Sequence, residues 1–299
     1  MKTIFTFFLS LLFTVAIAQD KVFTHSADPT NISADLTVID HPDLNGNSGA
    51  FFISTHNLSV GGTQYNNNVT GAYYNGSNWG IYNESGASMV DGLSYNVYIP
   101  VGGNVTTVQA DGSSYQLQLD NAAINDNPNA VLVYGTYFNP SNVRNNNNYG
   151  FWYDGSRWYI YNNETTTSIP ADAAFNILID DGTGGADYFM HDVTSPISNY
   201  TVIDHPSLNG KPDAFPIVSH NWGTSGDPSN VLIDTPIGVW FSTADDKWTI
   251  YTEDVSTMPV DARFNVYVAE EVLGTEDNSS LELSTYPNPT KGIVTISAQ

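Results

Sequence analysis

Three copies of one sequence pattern occupy most of the chain and constrain its fold more than any other feature. The segment TVIDHPDLNG at residues 37–46 returns as TVIDHPSLNG at 201–210 and, in degenerate form, as LQLDNAAIND at 117–126. Segments that recur at a regular interval indicate one structural unit copied along the chain. The pattern therefore predicts three modules of similar fold.

A second pattern, later in each copy, indicates a β-hairpin. GAYYNGSNWGIY at 71–82 matches GFWYDGSRWYIY at 150–161 and, with a longer turn, GVWFSTADDKWTIY at 238–251. Asn-Gly or Asp-Gly between two alternating aromatic runs is typical of a tight hairpin. Because no segment shows the apolar spacing of an amphipathic helix, we predict an all-β protein.

The module boundaries follow from glycine-rich segments between the copies. We place the modules at 22–101, 104–182 and 186–270, with short linkers at 102–103 and 181–185. Units of this length can bury a core of their own. This favours three tandem sandwich-like modules or small barrels in a row, and one closed pseudo-threefold β assembly is the alternative.

The amino terminus has the three parts of a cleavable signal peptide. A basic start at Lys2 precedes an apolar run over 4–17, and Ala16-Ile-Ala18 provides a small-residue cleavage site. The apolar run is too short to span a bilayer, and no later segment is long and apolar enough either. We therefore expect residues 1–18 to be removed and the mature chain to be secreted or exposed on the cell surface, without a transmembrane segment.

The carboxyl-terminal residues carry a recognisable motif. A polar linker at 271–280 is followed by LELSTYPNPTKGIVTISAQ at 281–299. The Tyr-Pro-Asn-Pro-Thr-x-Gly core with an alternating strand after it resembles the start of the type A C-terminal sorting domain of Bacteroidota proteins. That resemblance implies export of the full-length product by the type IX secretion machinery, and segment 281–299 would be a truncated copy of the domain.

Charge and cysteine content exclude several functions. Asp and Glu number 31 against 8 Lys and Arg, which gives a net charge of −23. Nucleic acid binding needs clustered Lys and Arg, so we predict no nucleic-acid partner. The chain has no cysteine, which excludes disulfides, thiolate metal sites and thiol nucleophiles.

Aromatic residues recur at equivalent positions of the hairpin. One face of its second strand alternates Trp with Ile, which is typical of a module core, and its tryptophans are Trp79, Trp158 and Trp248. The opposite face carries the tyrosines that we predict to contact ligand, namely Tyr82, Tyr161 and Tyr251. Trp222, in a glycine-rich stretch, is predicted to be exposed and to contact ligand as well.

The six histidines form matched pairs in the first and third modules. They pair as His25 with His191, His41 with His205, and His56 with His220. Asp-His-Pro followed by Leu-Asn-Gly favours a turn in which the Asp accepts backbone N–H bonds. A His–Asp metal or acid–base site is the alternative, and it requires the histidines of one module to converge. His56 and His220 remain candidate ligand contacts.

Segments 120–126 and 180–187 are rich in Asp and Asn. They favour polar turns, with calcium binding through their oxygens as the alternative, and we expect no other cofactor. The sequence contains no Gly-x-Ser-x-Gly, His-Glu-x-x-His or phosphate-loop motif.

The leading functional hypothesis is therefore non-enzymatic binding of an extracellular glycan or another surface ligand by repeated modules. An extracellular polysaccharide hydrolase, with Glu84 and Glu253 at equivalent positions, is one alternative. A structural or spacer role in a surface assembly is the other.

Overall fold

The computed structural model describes residues 20–59, 64–100, 102, 105–139, 141–183, 185, 187–228 and 230–269. The signal-peptide prediction at 1–18 and the linker and sorting-domain predictions at 271–299 lie outside these residues. Within the described part of the chain every regular element is a β-strand, so the all-β prediction is confirmed. The same residues contain no helix with the length and apolar character that crossing a membrane requires.

Nineteen strands are distributed over the three modules. The first module contains β1 (Lys21–Ser26), β2 (Ile32–Ser33), β3 (Leu36–Val38), β4 (Ile53–Asn57), β5 (Thr70–Tyr74), β6 (Trp79–Asn83) and β7 (Ser94–Ile99). The second contains β8 (Val105–Gln109), β9 (Gln116–Leu119), β10 (Val131–Tyr137), β11 (Tyr149–Tyr153), β12 (Trp158–Asn162) and β13 (Ala174–Asp180). The third contains β14 (Tyr188–Asp192), β15 (Tyr200–Val202), β16 (Phe215–Thr224), β17 (Ile237–Ser242), β18 (Lys247–Thr252) and β19 (Arg263–Ala269).

Each module divides into two halves that belong to different sheets. The inner halves are β1-β7-β4, β8-β13-β10 and β14-β19-β16, and all their pairings are antiparallel. The hairpin halves contain the hairpins β5-β6, β11-β12 and β17-β18 with the short strands beside them. The predicted hairpins are therefore present in all three copies.

The sheets close the modules into a ring. The first module's inner half joins the third module's hairpin half, and its own hairpin half joins the second module's inner half. The third sheet combines the third module's inner half with the second module's hairpin half. Every one of these joints is a parallel strand pair: β4 with β17, β10 with β5, and β16 with β11.

Four hydrophobic clusters stabilise this arrangement. Three of them lie within single modules, between the inner and hairpin halves, and the predicted core tryptophans are buried there: Trp79, Trp158 and Trp248. Each indole N–H donates to a backbone carbonyl of the same module, at Asn47, Asn127 and Lys211 respectively. The fourth cluster contains inner-half residues of all three modules, including Ile53, Val133 and Ile217.

Asparagines of the recurring (Tyr/Phe)-Asn-(Val/Ile) motif link neighbouring inner halves. Asn96 donates to the carbonyl of Pro216 at 3.1 Å, and Asn265 donates to that of Leu132 at 2.8 Å. Both asparagines are buried, so each bond satisfies polar groups that water cannot reach.

The three modules lie within one compact unit of the chain. Each module has a hydrophobic core of its own, as the modular prediction requires. No module forms a complete sheet by itself, because every sheet combines strands of two modules. Of the two arrangements considered from the sequence, the structure has the closed pseudo-threefold one. The short glycine segments between the copies favoured separate modules. The exchange of strands between sheets leaves no signal within a single repeat, so the sequence could not indicate the closed arrangement.

Candidate functional site

Five of the six residues predicted to contact ligand lie at the three parallel joints, and the sixth is Trp222. We call these joints junctions and define each by three residues at equivalent positions. The first junction contains His56, Tyr251 and Glu253, the second Thr136, Tyr82 and Glu84, and the third His220, Tyr161 and Asn163. Every junction thus combines one residue from an inner strand with two from a neighbouring module's hairpin.

The first junction is a buried histidine–carboxylate pair. His56 Nδ1 lies 2.5 Å from Glu253 Oε1, and the Tyr251 hydroxyl donates to the same oxygen at 3.0 Å. The other carboxylate oxygen accepts from the backbone N–H of Asn66 at 2.8 Å. Both oxygens of Glu253 are therefore engaged within the protein.

The second junction has threonine in place of histidine. Tyr82 donates to Glu84 Oε1 at 2.5 Å, and the backbone N–H of Asn145 donates to Oε2 at 2.7 Å. The Arg144 guanidinium lies over the Tyr82 ring, 5.2 Å from its centroid. Burial raises the pKa of Glu84, because desolvation penalises the carboxylate. Asn145 belongs to a run of four asparagines at 145–148, and it is buried as a partner of this carboxylate.

The third junction is uncharged. The Tyr161 hydroxyl lies 3.3 Å from His220 Nδ1, and His220 Nε2 donates to the carbonyl of Val231 at 3.0 Å. Asn163 takes the position of the glutamates and donates to the carbonyl of Ile233. Burial lowers the pKa of His220 to about 4, so the ring is neutral at neutral pH.

A glycine of the hairpin motif makes room for each junction. A Cβ at Gly150 would lie 2.8 Å from both His220 Nδ1 and the Tyr161 hydroxyl. A Cβ at Gly238 would lie 2.8 Å from Glu253 Oε1, and one at Gly71 would lie 2.9 Å from Tyr82. Real Cβ atoms do not approach this closely, which explains why glycine recurs at the start of the hairpin.

The tyrosines predicted at the surface are buried. Tyr82, Tyr161 and Tyr251 are exposed by only 3, 2 and 2 %. Alternation placed them correctly on the face opposite the core tryptophans, but the neighbouring module covers that face at the junction. Burial raises the pKa of all three hydroxyl groups. They act as buried hydrogen-bond donors, and their prediction as surface contacts is wrong.

A polar cavity of about 90 Å³ lies where the three modules meet. Three sets of equivalent positions from the inner halves line it: Ser54, Tyr134 and Val218; Thr55, Gly135 and Ser219; and His56, Thr136 and His220. The two histidines predicted to contact ligand are thus brought to the same cavity. The cavity and the place of Gly135 in its wall could not be inferred from the sequence, because both depend on how the three modules pack together.

The remaining histidines do not converge with His56 into one site. His25 Nε2 contacts the Thr37 hydroxyl at 2.8 Å, and His191 contacts that of Thr201 at 2.9 Å. His41 is stacked on Phe23, with ring centroids 4.4 Å apart. Among the described residues no group of three His, Asp or Glu side chains is arranged to hold a metal ion.

The Asp-His-Pro segments form turns, with one correction to the predicted bonding. The side-chain amide of Asn45 donates to Asp40 at 2.6 Å, while Asn45 itself accepts the backbone N–H of His41 at 3.3 Å. The aspartate was predicted to accept the backbone bonds, and it binds the asparagine side chain instead. The same Asn-to-Asp bond occurs in segment 120–126, which is the second module's copy of this turn.

The other acidic segment is also a series of local turns. Asp180 accepts the backbone N–H of Gly182 at 2.7 Å, and Asp181 accepts that of Thr183 at 3.0 Å. Oxygens of the residues considered as calcium ligands are thus used by their own backbone.

A cluster of half-exposed aromatic rings lies on the outer face of the third sheet. Trp152 stacks on Tyr159 with ring centroids 5.0 Å apart and planes inclined by 24°. Trp222, from the neighbouring module, contacts Trp152 edge-on at 6.0 Å. All three rings are partly exposed, so Trp222 is accessible at the surface, and its contact with ligand stays a prediction. We call Trp152, Tyr159 and Trp222 the aromatic platform.

Polar groups border the aromatic platform. The Tyr159 hydroxyl donates to Asp154 at 3.1 Å and lies 3.5 Å from the amide oxygen of Gln118. Gln118 is exposed and Asp154 half-exposed. The surface therefore offers flat apolar rings with hydrogen-bonding groups beside them.

The other two sheets do not repeat this platform. The position of Trp222 is occupied by Leu58 on the first sheet and by Phe138 on the second. The position of Tyr159 is occupied by Thr249 and Gly80 respectively. Tyr159 was not singled out from the sequence, although its place between Trp158 and Ile160 puts it on the outer face.

Comparison with known proteins gives a family without a described activity. Neither a curated protein nor a solved structure shows significant similarity to the chain. The family described as "Domain of unknown function (DUF7452)" matches three times, at residues 6–99, 103–167 and 157–268. These matches cover most of the chain and follow its threefold repeat, so the protein belongs to the DUF7452 family.

Proposed function

We propose that the protein binds a neutral extracellular glycan on the aromatic platform of its third sheet. The observation that carries this proposal is the half-exposed stack of Trp152 on Tyr159 with Trp222 beside it. Sugar rings present C–H groups that pack on aromatic faces, and exposed aromatic rings are the residues that most often dominate binding energy. Asp154 and Gln118 are placed to bind the hydroxyl groups of such a ligand.

Charge selects neutral glycans over acidic ones. The chain carries a net charge of −23, and Asp154 lies at the edge of the aromatic platform. An acidic polysaccharide would be repelled over the whole approach. A neutral glycan meets no such barrier.

The two glutamates considered for glycoside cleavage are engaged in hydrogen bonds within the protein. Glu253 and Glu84 belong to different junctions, and each oxygen of both carboxylates accepts a hydrogen bond from the protein. These hydrogen bonds link neighbouring modules. Because every oxygen of the two carboxylates already accepts a bond from the protein, neither glutamate is arranged to contact a substrate. Export to the outer cell surface, inferred from residues 1–18 and 281–299, places a glycan binder where its ligand occurs.

Retention on insoluble polysaccharides tests this function. The folded protein is incubated with cellulose, chitin and insoluble xylan, and in parallel with calcium alginate beads as an acidic polysaccharide. We expect retention on at least one neutral polymer, with loss of retention in Trp152→Ala. The equivalent Trp240→Ala, on the first sheet, is the matched control and should be retained like the parent. No retention on any neutral polymer would overturn the proposal.

A further inference from the structure

The cavity between the modules has room for more than isolated water. Its volume of about 90 Å³ holds on the order of six waters at ~15 Å³ each. Six waters take up about 180 Å³ in the liquid, at ~30 Å³ each, and one hexose displaces a comparable volume of water. The cavity lies next to the hydrophobic cluster that all three modules share. Its lining residues Ser54, Tyr134 and Val218 directly follow three members of that cluster, namely Ile53, Val133 and Ile217.

The lining of the cavity is polar and contains few ionisable side chains. Among the described residues that line it there is no Lys, Arg or Asp. Its one carboxylate, Glu253, is paired with His56, and His220 is neutral with both ring nitrogens engaged. An anion would find no cation among these residues, and a metal ion would find no set of three ligands among them.

Two lining side chains have a polar atom without a hydrogen-bond partner in the described protein, Tyr149 through its buried hydroxyl and His56 through Nε2. His56 is held through Nδ1 by Glu253, and its Nε2 makes no hydrogen bond to any described residue. The side chain is only 6 % exposed. His56 Nε2 is not among the fully enclosed unpartnered atoms, and His56 lines the cavity, so this nitrogen is expected to meet a water or ligand there. The carboxylate fixes the ring, as buried carboxylates orient histidines in binding sites.

Gly135 enlarges the cavity at this point. The equivalent residues are Thr55 and Ser219, whose hydroxyl oxygens accept the backbone N–H groups of Val218 and Tyr134 at 3.1 Å. Gly135 has no side chain to make the third such bond. A Cβ at Gly135 would meet nothing closer than Ile53 at 3.7 Å, so the absent side chain is not a steric necessity.

We propose that this cavity binds one neutral, hydroxylated small molecule of the size of a single sugar ring, which hydrogen-bonds to His56 Nε2. Hydroxyl groups suit the lining because they can both donate to and accept from histidine, threonine and serine. The site is separate from the aromatic platform and does not depend on it.

Histidine nitrogen spectra test the proposal. The protein is labelled with ¹⁵N in its histidine rings and titrated with D-glucose, D-galactose, D-mannose and D-xylose up to about 50 mM, within the millimolar affinity range of small ligands. We expect at least one sugar to shift the His56 Nε2 signal in a saturable manner. The signals of His25 and His191, whose Nε2 atoms contact threonines, should not move.

Two variants distinguish binding in the cavity from binding on the aromatic platform. Gly135→Ser fills the cavity without a predicted clash and should weaken sugar binding at least tenfold. Trp152→Ala removes the aromatic platform and should leave the His56 titration unchanged. A cavity that holds solvent only would give no saturable His56 shift with any of the four sugars, and unchanged binding in Gly135→Ser would also overturn the proposal.

Discussion

His56 Nδ1 lies 2.5 Å from Oε1 of Glu253, a residue 197 positions further along the chain, and this contact ties the first module to the third. Both side chains are buried, so water competes little for this contact. The contact closes the ring of modules at the joint between β4 and β17.

Replacing the Glu253 carboxylate by an amide should destabilise the protein. One acceptor oxygen becomes an NH2 group that faces a buried hydrogen-bond donor, and we expect Glu253→Gln to lower the free energy of unfolding by about 3 kcal/mol. Guanidinium unfolding measures this change. The matched control is Glu84→Gln, whose partners are uncharged and which should cost about 1 kcal/mol. An equal or larger loss in Glu84→Gln would contradict the greater contribution of the His56–Glu253 contact at the first junction.

A methyl group at Gly238 should disrupt the same junction. The added Cβ would lie 2.8 Å from Glu253 Oε1, so the carboxylate has to move. Overpacking of this kind costs about 1–3 kcal/mol. Gly49→Ala, whose Cβ would lie 3.7 Å from its nearest neighbour, is the control and should change the unfolding midpoint little.

A hydroxyl group at Gly135 should stabilise the protein. A serine hydroxyl at position 135 can accept a backbone N–H bond equivalent to those that the hydroxyls of Thr55 and Ser219 accept. Serine also restricts the backbone more than glycine does, which lowers the entropy of the unfolded chain. We expect Gly135→Ser to add about 1 kcal/mol. Thermal unfolding measures it, with Gly135→Ala to separate the entropic part from the hydrogen bond. A lower midpoint for the serine than for the alanine variant would refute the proposed bond.

Acid should destabilise the protein through its buried histidines. Burial lowers the pKa of His25 and of His220 from 6.5 to about 4. The unfolded chain therefore binds protons more readily below pH 6.5, and stability falls between pH 6.5 and about 4, by roughly 3 kcal/mol per histidine at most.

Variants at the two histidines check the pH dependence. Urea unfolding of His220→Gln at pH 7 and pH 5 should show a smaller loss of stability between the two values than the parent shows. A His220→Gln variant with the parent's full pH dependence would mean that this ring does not contribute.

The repeat, the hairpins and the core tryptophans could be predicted because each depends on local alternation. Trp79 and Ile81 share a face within one strand, and that face packs inside the same module. The burial of Tyr82 could not be predicted from local alternation. It depends on Thr136 and Asn145 of the next module, and nothing within a single repeat indicates which neighbour covers its outer face.

The differences between copies proved as informative as their similarities. Leu58, Phe138 and Trp222 occupy one repeat position, and only the tryptophan forms a platform with a second tryptophan and a tyrosine. Three equal binding sites, as repetition alone suggests, are therefore not expected. We predict one main glycan surface on a pseudo-symmetric body.

The most direct test of glycan binding is a comparison of affinities at two equivalent tryptophans. A soluble oligosaccharide of the retained polymer is titrated by calorimetry into the parent, Trp152→Ala and Trp240→Ala. We predict that Trp152→Ala weakens binding at least tenfold, about 1.4 kcal/mol or more, and that Trp240→Ala binds like the parent. Equal losses in the two variants, or no loss in Trp152→Ala, would contradict the assignment of the glycan surface to the third sheet.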